Sequence, residues 1–365
     1  MIVPVNPFVY DRPLAPGLAV RRQLETDLLL ELARGGQSTR VVAPRRFGKT
    51  TLIATVGAEL APEGFLFVHA DFSRVRQLDD VVARLRAAWA PALDRRGTSR
   101  LWRQISQRVD AHVEVGLPGV ARGGITIAPA ARREPIEALH ELLAIPERLP
   151  RGRRAFVCFD EFPELLTARD DLDGIVRSHI QHHGSAASYC FAGSQASAMQ
   201  VLFEDRRRPL FAQAREIRLG PIPTAELGAW LTERFGESLP AVPGDVLAQA
   251  IIGRTGGHPQ RAMMLAHFVW ERAGDVEAAL AEALNQASGE IEQMWRDLEP
   301  GQRRALATAA AGYRRLLGSD ALAASGSAKT TMQAARRALL IDGHLREGEG
   351  GIEVSDPFVP LWLAA

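Results

Sequence analysis

The sequence predicts an α/β fold in which a mostly parallel five-stranded sheet carries helices on both faces and is followed by two smaller units. Five short apolar or β-branched runs, at 39–43, 65–71, 155–160, 188–192 and 216–219, alternate with helical patterns, as strands joined by helical crossovers must. After "LGPIP" the strand signals stop, and four amphipathic helical segments separated by Gly or Pro follow. Near the C-terminus, "HLREGEGGIEV" sets a Gly-rich turn between two alternating runs, behind three shorter helical segments. That order reads as a winged helix. The expected domains are a core with its N-terminal segment over 1–222, an all-helical domain over 223–298 and a winged helix over 299–365.

Taken in order, "DLLLELARG" and "TTLIATVGAELA" are the helices on either side of the first strand. The stretch Pro91 to Pro135 reads as irregular, with "HVEVGLPG" and "GGITIAP" alternating like a hairpin that either projects toward a partner or packs on its own domain. Cys158 and Cys190 each fall inside a buried strand run. Two cysteines are too few for a disulfide framework and fit a reducing cytoplasm. The N-terminus lacks the charged and apolar regions of a signal peptide, and no apolar run reaches membrane-spanning length. A cytoplasmic protein is expected.

A chain of 365 residues with 46% hydrophobic and 24% charged residues is of ordinary globular composition. Its net charge of +1 gives no global attraction to nucleic acid, so any such binding needs a local patch. Of 44 lysines and arginines, only Lys49 and Lys329 are lysine. Lys49 therefore stands out, and its surroundings explain it. "APRRFGKTT" follows a strand and opens a helix with the spacing of a phosphate-binding loop, except that Ala43 replaces the first glycine. Gly48 lets the backbone pass close to a phosphate, the helix N-terminus offers N–H groups, and Lys49 reaches the β and γ phosphates as a point charge. Pro44, Arg45, Arg46, Phe47, Gly48, Lys49, Thr50 and Thr51 are the expected nucleotide contacts.

"AFVCFDEFPEL" ends a buried strand in two carboxylates at the edge where open α/β sheets bind ligands. Asp160 with the Thr50 hydroxyl would hold Mg²⁺, and Glu161 would orient and deprotonate the attacking water. Two such acids can instead be helix N-caps. Ser194 and Gln195, closing the next strand, are placed near the γ-phosphate, although serine also caps helices. In "EDRRRPLFAQAR", Arg206, Arg207, Arg208 and Arg215 form either a solvated face or, through Arg208, an arginine finger for a neighbouring subunit. His179, His182 and His183 lack a metal pattern and read as an exposed helix end.

The ordered set "NPF", "APRRFGKTTL", "FVCFDEFPEL", "YCFAGSQ", "RRPLFAQA", "TGGHPQRAMML" and "SDPFVPLWL" resembles the archaeal-type ATPases, a branch of the AAA+/STAND P-loop NTPases, over nearly the whole chain. The resemblance implies an ATP-binding αβα core with strand order 5-1-4-3-2, a helical lid and a C-terminal winged helix. It inserts the 188–192 strand between the loop strand and the Asp160 strand, so Cys158 and Cys190 would be neighbours. It also implies that Arg22 lies near the adenine and that His258 and Pro259 of "GGHP" contact nucleotide. Related proteins carry a sensor arginine directly after this element; here that place holds Gln260, and Arg261, one position later, is the candidate nucleotide contact and γ-phosphate sensor. Gln213 likewise stands where many relatives carry arginine.

In the expected recognition helix, "SAKTTMQAARRALLIDG", Ser327 is the cap and Lys329, Thr330, Gln333, Arg336 and Arg337 are polar members, with Arg303, Arg304, Arg314 and Arg315 nearby. Its target is duplex DNA or a partner protein. The functional expectation is an Mg²⁺-dependent ATPase whose lid motion controls the winged helix, with nucleotide-dependent homo-oligomers and no membrane. The alternative is a slow nucleotide-held switch or scaffold. A small-molecule kinase is disfavoured, because the C-terminal third carries no acceptor-binding lid.

Overall fold

The computed structural model describes residues 5–12, 14–94, 98–110, 134–348 and 350–365. Helix α1 (Gln23–Arg34) leads into β1 (Thr39–Val42), α2 (Lys49–Leu60) and β2 (Phe65–Asp71). Three helices follow, α3 (Leu78–Leu93), α4 (Ser99–Asp110) and α5 (Pro135–Leu143). Then come β3 (Arg154–Asp160), the short α6 (Leu165–Ala168), α7 (Leu172–His183), β4 (Ala187–Gly193), α8 (Ala196–Glu204) and β5 (Arg215–Arg218). All pairings in the five-stranded sheet are parallel, in the order β2-β3-β4-β1-β5. This is the expected 5-1-4-3-2 arrangement.

Burial explains the order. Every residue of β4 is buried, as are all but the first of β3, so these strands fit only the interior of a sheet covered on both faces. The polar ends and exposed positions of β2 and β5 suit the edges. Successive side chains alternate between layers: Val157, Phe159, Tyr189 and Phe191 pack on one face with α3, α5 and α7, whereas Phe156, Cys158, Cys190 and Ala192 pack on the other with α1 and α2. Cys158 and Cys190 are directly opposed in the β3–β4 register and are free thiols.

The stretch expected to be irregular is partly helical. Helix α3 continues through Pro91, and α4 lies within the stretch, because Ile105 and Val109 give it an apolar side that joins the core. The two hairpin-like segments "HVEVGLPG" and "GGITIAP" lie outside the described residues.

Beyond the sheet run α9 (Thr224–Ser238), α10 (Gly244–Thr255), α11 (Pro259–Glu271) and α12 (Val276–Asp297). They are followed by α13 (Pro300–Ala310), α14 (Ser319–Ser325), α15 (Lys329–Ile341), an antiparallel ribbon of β6 (Leu345–Gly348) with β7 (Gly351–Val354), and α16 (Phe358–Ala364). One apolar cluster runs without a break from α9–α12 into α13–α16, so packing joins the units expected to divide at 298 and 299. Phe8 belongs to this cluster rather than to the sheet. It is buried against Trp230 and Phe235, and the backbone beside it is tied down by Asn6, which donates to the His267 carbonyl, and by the His267 ring on the Phe8 carbonyl.

Two further differences concern single residues. The residue preceding α15 is Ala328, and no side chain caps the helix; the Ser327 hydroxyl instead accepts from Arg304 Nε at 3.1 Å. His183 is buried rather than at an exposed end, with Nδ1 2.6 Å from the Tyr189 hydroxyl, and burial pushes its pKa down to about 4. His179 is half-buried, 2.8 Å from His140.

A candidate nucleotide cleft at the sheet edge

The C-terminal edges of β1, β3 and β4 bring Lys49, Thr50, Asp160, Glu161 and Ser194 together. The turn from β1 into α2 uses left-handed backbone at Arg46 (φ 68°) and Gly48 (φ 85°). Gly48 pays little for this conformation, whereas Arg46 adopts one that costs a non-glycine residue about 1–2 kcal/mol. Ala43, which replaces the expected glycine, is buried and is not left-handed. The substitution therefore strains nothing.

Lys49 starts α2, and its Nζ folds back to donate to the Ala43 carbonyl at 3.0 Å and the Pro44 carbonyl at 3.4 Å. Burial holds its pKa below the usual lysine value, opposed by the charges of Glu161 and Asp160. Glu161 Oε1 lies 3.9 Å away. Its other oxygen, Oε2, accepts from both the backbone N–H (3.0 Å) and the hydroxyl (2.8 Å) of Ser194. Glu161 is itself left-handed (φ 48°), a turn that swings its side chain across toward β4.

Asp160, only 6% exposed, accepts from Thr50 Oγ1 at 3.0 Å, from the Glu161 N–H at 3.0 Å, and lies 3.2 Å from His69 Nε2. Burial acts to raise its pKa, but the His69 contact, the Lys49 charge and the Thr50 hydroxyl outweigh it and keep the carboxyl ionised below its ordinary range. The donors here are oxygens, as Mg²⁺ requires. Among the described residues no group of three His, Cys, Asp or Glu side chains could hold a metal. A magnesium ion would thus rest on Thr50 and Asp160 and complete its shell with phosphate oxygens and water.

In front of these residues opens a cleft of about 1060 Å³, bounded by Lys49, Thr50, Thr51 and Glu161 on one side and Pro259, Met263 and Met264 of α11 on the other. Val9, Tyr10 and Leu14 from the N-terminal segment and Val20 and Ile222 give it apolar walls. Arg22 lines it too, but its guanidinium is engaged by backbone carbonyls, Phe47 at 3.1 Å and Gly220 at 2.8 Å. Burial lowers its pKa from the usual arginine value. It ties the N-terminal segment to both the phosphate loop and the exit from β5. At Gly257 (φ 76°) a Cβ would stand 2.5 Å from the Ile222 carbonyl oxygen, so only glycine lets α10 and α11 close onto this exit.

Other expected site residues lie elsewhere. Arg208 pairs with Asp173 at 2.9 Å. His258 caps α11, accepting from the Arg261 N–H, with its ring centroid 4.7 Å from that of Phe47. Arg261 is 1% exposed and faces the C-terminal unit, where it binds both Asp356 oxygens (3.0 Å from Nε, 2.5 Å from NH2) with Glu290 at 3.5 Å. Gln260, one position earlier, borders the cleft instead. One residue is a 100° turn of the helix, and this rotation separates them.

Sequence reasoning missed three residues. His69 reaches Asp160 through the β2–β3 register, which sets Asp71 against Asp160. Glu290 on α12 pairs with Arg46 of the phosphate loop and also meets Arg261. Arg74, left-handed at φ 61°, borders the cleft with no ion-pair partner among the described residues. For His69 and Arg74 the signal was an odd histidine or arginine near a strand end; Glu290, within α12, carried none.

No family model and no curated relative match the chain. Its structure is similar to that of a Walker-type ATPase of Pyrococcus abyssi, with a TM-score of 0.71 at 19% identity over 97% of this chain and 99% of that one. It is also similar to the ORC2 protein of Aeropyrum pernix in its ADPNP–ADP complexes, with a TM-score of 0.61 at 16% identity over 96% and 93%. The fold is accordingly the five-stranded parallel α/β arrangement of these P-loop ATPase structures. No helix among the described residues is long and apolar enough to cross a membrane.

Proposed function

We propose that the protein binds ATP with Mg²⁺ in this cleft and hydrolyses it, and that α9–α12 act as a lid whose movement is passed to a winged helix formed by α13–α15 and the β6–β7 ribbon. The observation that carries the reading is the meeting of Lys49, Thr50, Asp160, Glu161 and Ser194 at one sheet edge, from three strands. Lys49 exchanges its carbonyl contacts for phosphate oxygens, whose charge offsets the burial of its ammonium. The apolar walls from Val9, Val20, Ile222 and Met263 suit a purine face. Magnesium, when bound, neutralises phosphate charge. Glu161 accepts the proton of the attacking water, and Ser194 holds the carboxylate in place.

Transmission is supported by a chain of charges: Arg46 of the loop to Glu290 of the lid, Glu290 to Arg261, and Arg261 to Asp356 beside the ribbon. Gly343, in the turn after α15, packs on Pro44 of the loop. A phosphate that draws Arg46 away frees Glu290, and the far end of the chain responds.

A slower, switch-like version is favoured by the double hydrogen bond from Ser194, which keeps Glu161 occupied, and by the Arg208–Asp173 pair, which leaves that arginine unavailable to a neighbour. Steady-state ATP hydrolysis separates the two. A rate that Glu161→Gln lowers about 10²–10⁴-fold, with ATP binding intact, supports the enzyme; no turnover despite tight binding supports the switch.

For the winged helix, α15 exposes Lys329, Thr330, Gln333 and Arg337. Arg336, Arg346 and Arg314 are paired with Glu347 and Glu353, which leaves a small basic surface for duplex DNA or for a partner protein. Mass measurement in solution with and without ATP and duplex DNA reads both DNA engagement and nucleotide-dependent self-assembly.

A further inference from the structure

We infer that His69 is a positioning residue for the divalent ion: it fixes the Asp160 carboxylate in the orientation that serves Thr50 and the metal. The inference rests on the ATP–Mg²⁺ reading and adds to it a residue outside the phosphate loop and the acidic strand end. Asp160 is nearly excluded from solvent, and Lys49 Nζ donates to backbone carbonyls rather than to it. Its oxygens depend on neighbouring donors: the Glu161 N–H on Oδ1, and the Thr50 hydroxyl and His69 Nε2 on Oδ2. His69 is therefore the one donor that reaches this carboxylate from β2 among the described residues.

The ring is held for the task. β2 is the edge strand beside β3, and with Asp71 opposite Asp160 the His69 side chain lies two residues back on the same face, within diagonal reach. Phe67 stacks beside it, with a centroid distance of 6.2 Å and planes 16° apart, and Phe156 stacks on Phe67 in turn. These rings limit rotation of the imidazole. With Nε2–H directed at Oδ2, the carboxylate is held away from Lys49 and accepts the hydrogen bond that the Thr50 hydroxyl donates. The Thr50 lone pairs are left for a cation. Outer partners that orient ligands in this way change metal affinity by about 10–100-fold when removed.

The test compares His69→Phe, which keeps the ring and deletes the donor, with His69→Gln, which keeps a donor near the Nε2 position. Mn²⁺ binding to the full-length protein saturated with ADP is followed by electron paramagnetic resonance, and ADP affinity is measured separately in EDTA. Expected is Mn²⁺ binding about 10–100-fold weaker in His69→Phe, recovery to within a few-fold of wild type in His69→Gln, and metal-free ADP affinity unchanged in both. Wild-type Mn²⁺ affinity in His69→Phe overturns the inference, as does equal loss in both variants, which would show that a donor to Asp160 is not what the metal site needs from this position. Those outcomes leave the nucleotide reading intact, whereas absence of ADP binding by the wild type overturns both.

Discussion

Asp160 and Asp356 are both aspartates whose pKa burial alone would raise, and both are held below the ordinary carboxylate range, yet by different partners. Asp356 meets a bidentate guanidinium and the Phe358 N–H, so its charge is cancelled within the protein. Asp160 has hydroxyl, amide and imidazole donors but no side-chain cation in direct contact through Lys49 or an arginine among the described residues. The first arrangement is finished without a ligand. The second still has charge to offer, and it faces the phosphate loop. On the proposed reading, the acid surrounded by dipolar donors is the place for an incoming cation, and the one locked to Arg261 is a joint between α11 and the C-terminal unit.

Exchanging each acid for its amide sharpens this contrast. Asp160→Asn is expected to lower ATP hydrolysis by about 10²–10³-fold with a smaller fall in the unfolding midpoint than Asp356→Asn, since it strands no buried guanidinium. Asp356→Asn should do the reverse in the same two assays. It strands the buried Arg261 with only Glu290 nearby and costs about 3 kcal/mol in denaturant unfolding, the lower end for a broken buried pair. If Asp356→Asn proved neutral, the joint would not depend on this pair.

A pH series probes the same joint. Burial pushes His258 down to about 4, so it is neutral in the folded protein, while in the unfolded chain it gains a proton near ~6.5. The unfolded state then binds more protons between these values. Stability from this group is complete above pH ~6.5 and declines as pH falls toward 4, by roughly 3 kcal/mol. His258→Asn, which keeps an acceptor for the Arg261 N–H, should flatten the profile by that amount; an unchanged slope would place the imidazole in water.

The smallest effect concerns α15. Because Ser327 accepts from an exposed arginine instead of capping the helix, Ser327→Ala is expected to change stability by less than about 0.5 kcal/mol. A loss near 1 kcal/mol, as for a true cap, would restore the capping role.

The parts legible in the sequence were those whose chemistry is local. A glycine-lysine-threonine turn and two acids ending an apolar strand carry their own geometry, and the mostly apolar runs marked β3 and β4 as buried strands, whereas the place of β4 between β1 and β3 came from the family resemblance. What escaped depended on register or on distant packing. His69 is informative only once β2 is placed beside β3, and Glu290 only once α12 crosses the phosphate loop. Arg261 and Gln260 differ by one helical step, which no spacing rule resolves without the helix axis. Ser327 preceded its helix by one residue too many, and His183 looked exposed because the Tyr189 that covers it lies across a turn. The "DPF" near the C-terminus was visible, but its partner stands 95 positions away.

Calorimetric titration of ATP with Mg²⁺ into wild type and Lys49→Ala tests the cleft most directly. Saturable binding at one site per chain is expected for wild type, weakened at least about 100-fold, or ~2.7 kcal/mol, by the substitution. No heat of binding with wild type, or equal affinity in both proteins, would contradict a triphosphate site at this sheet edge.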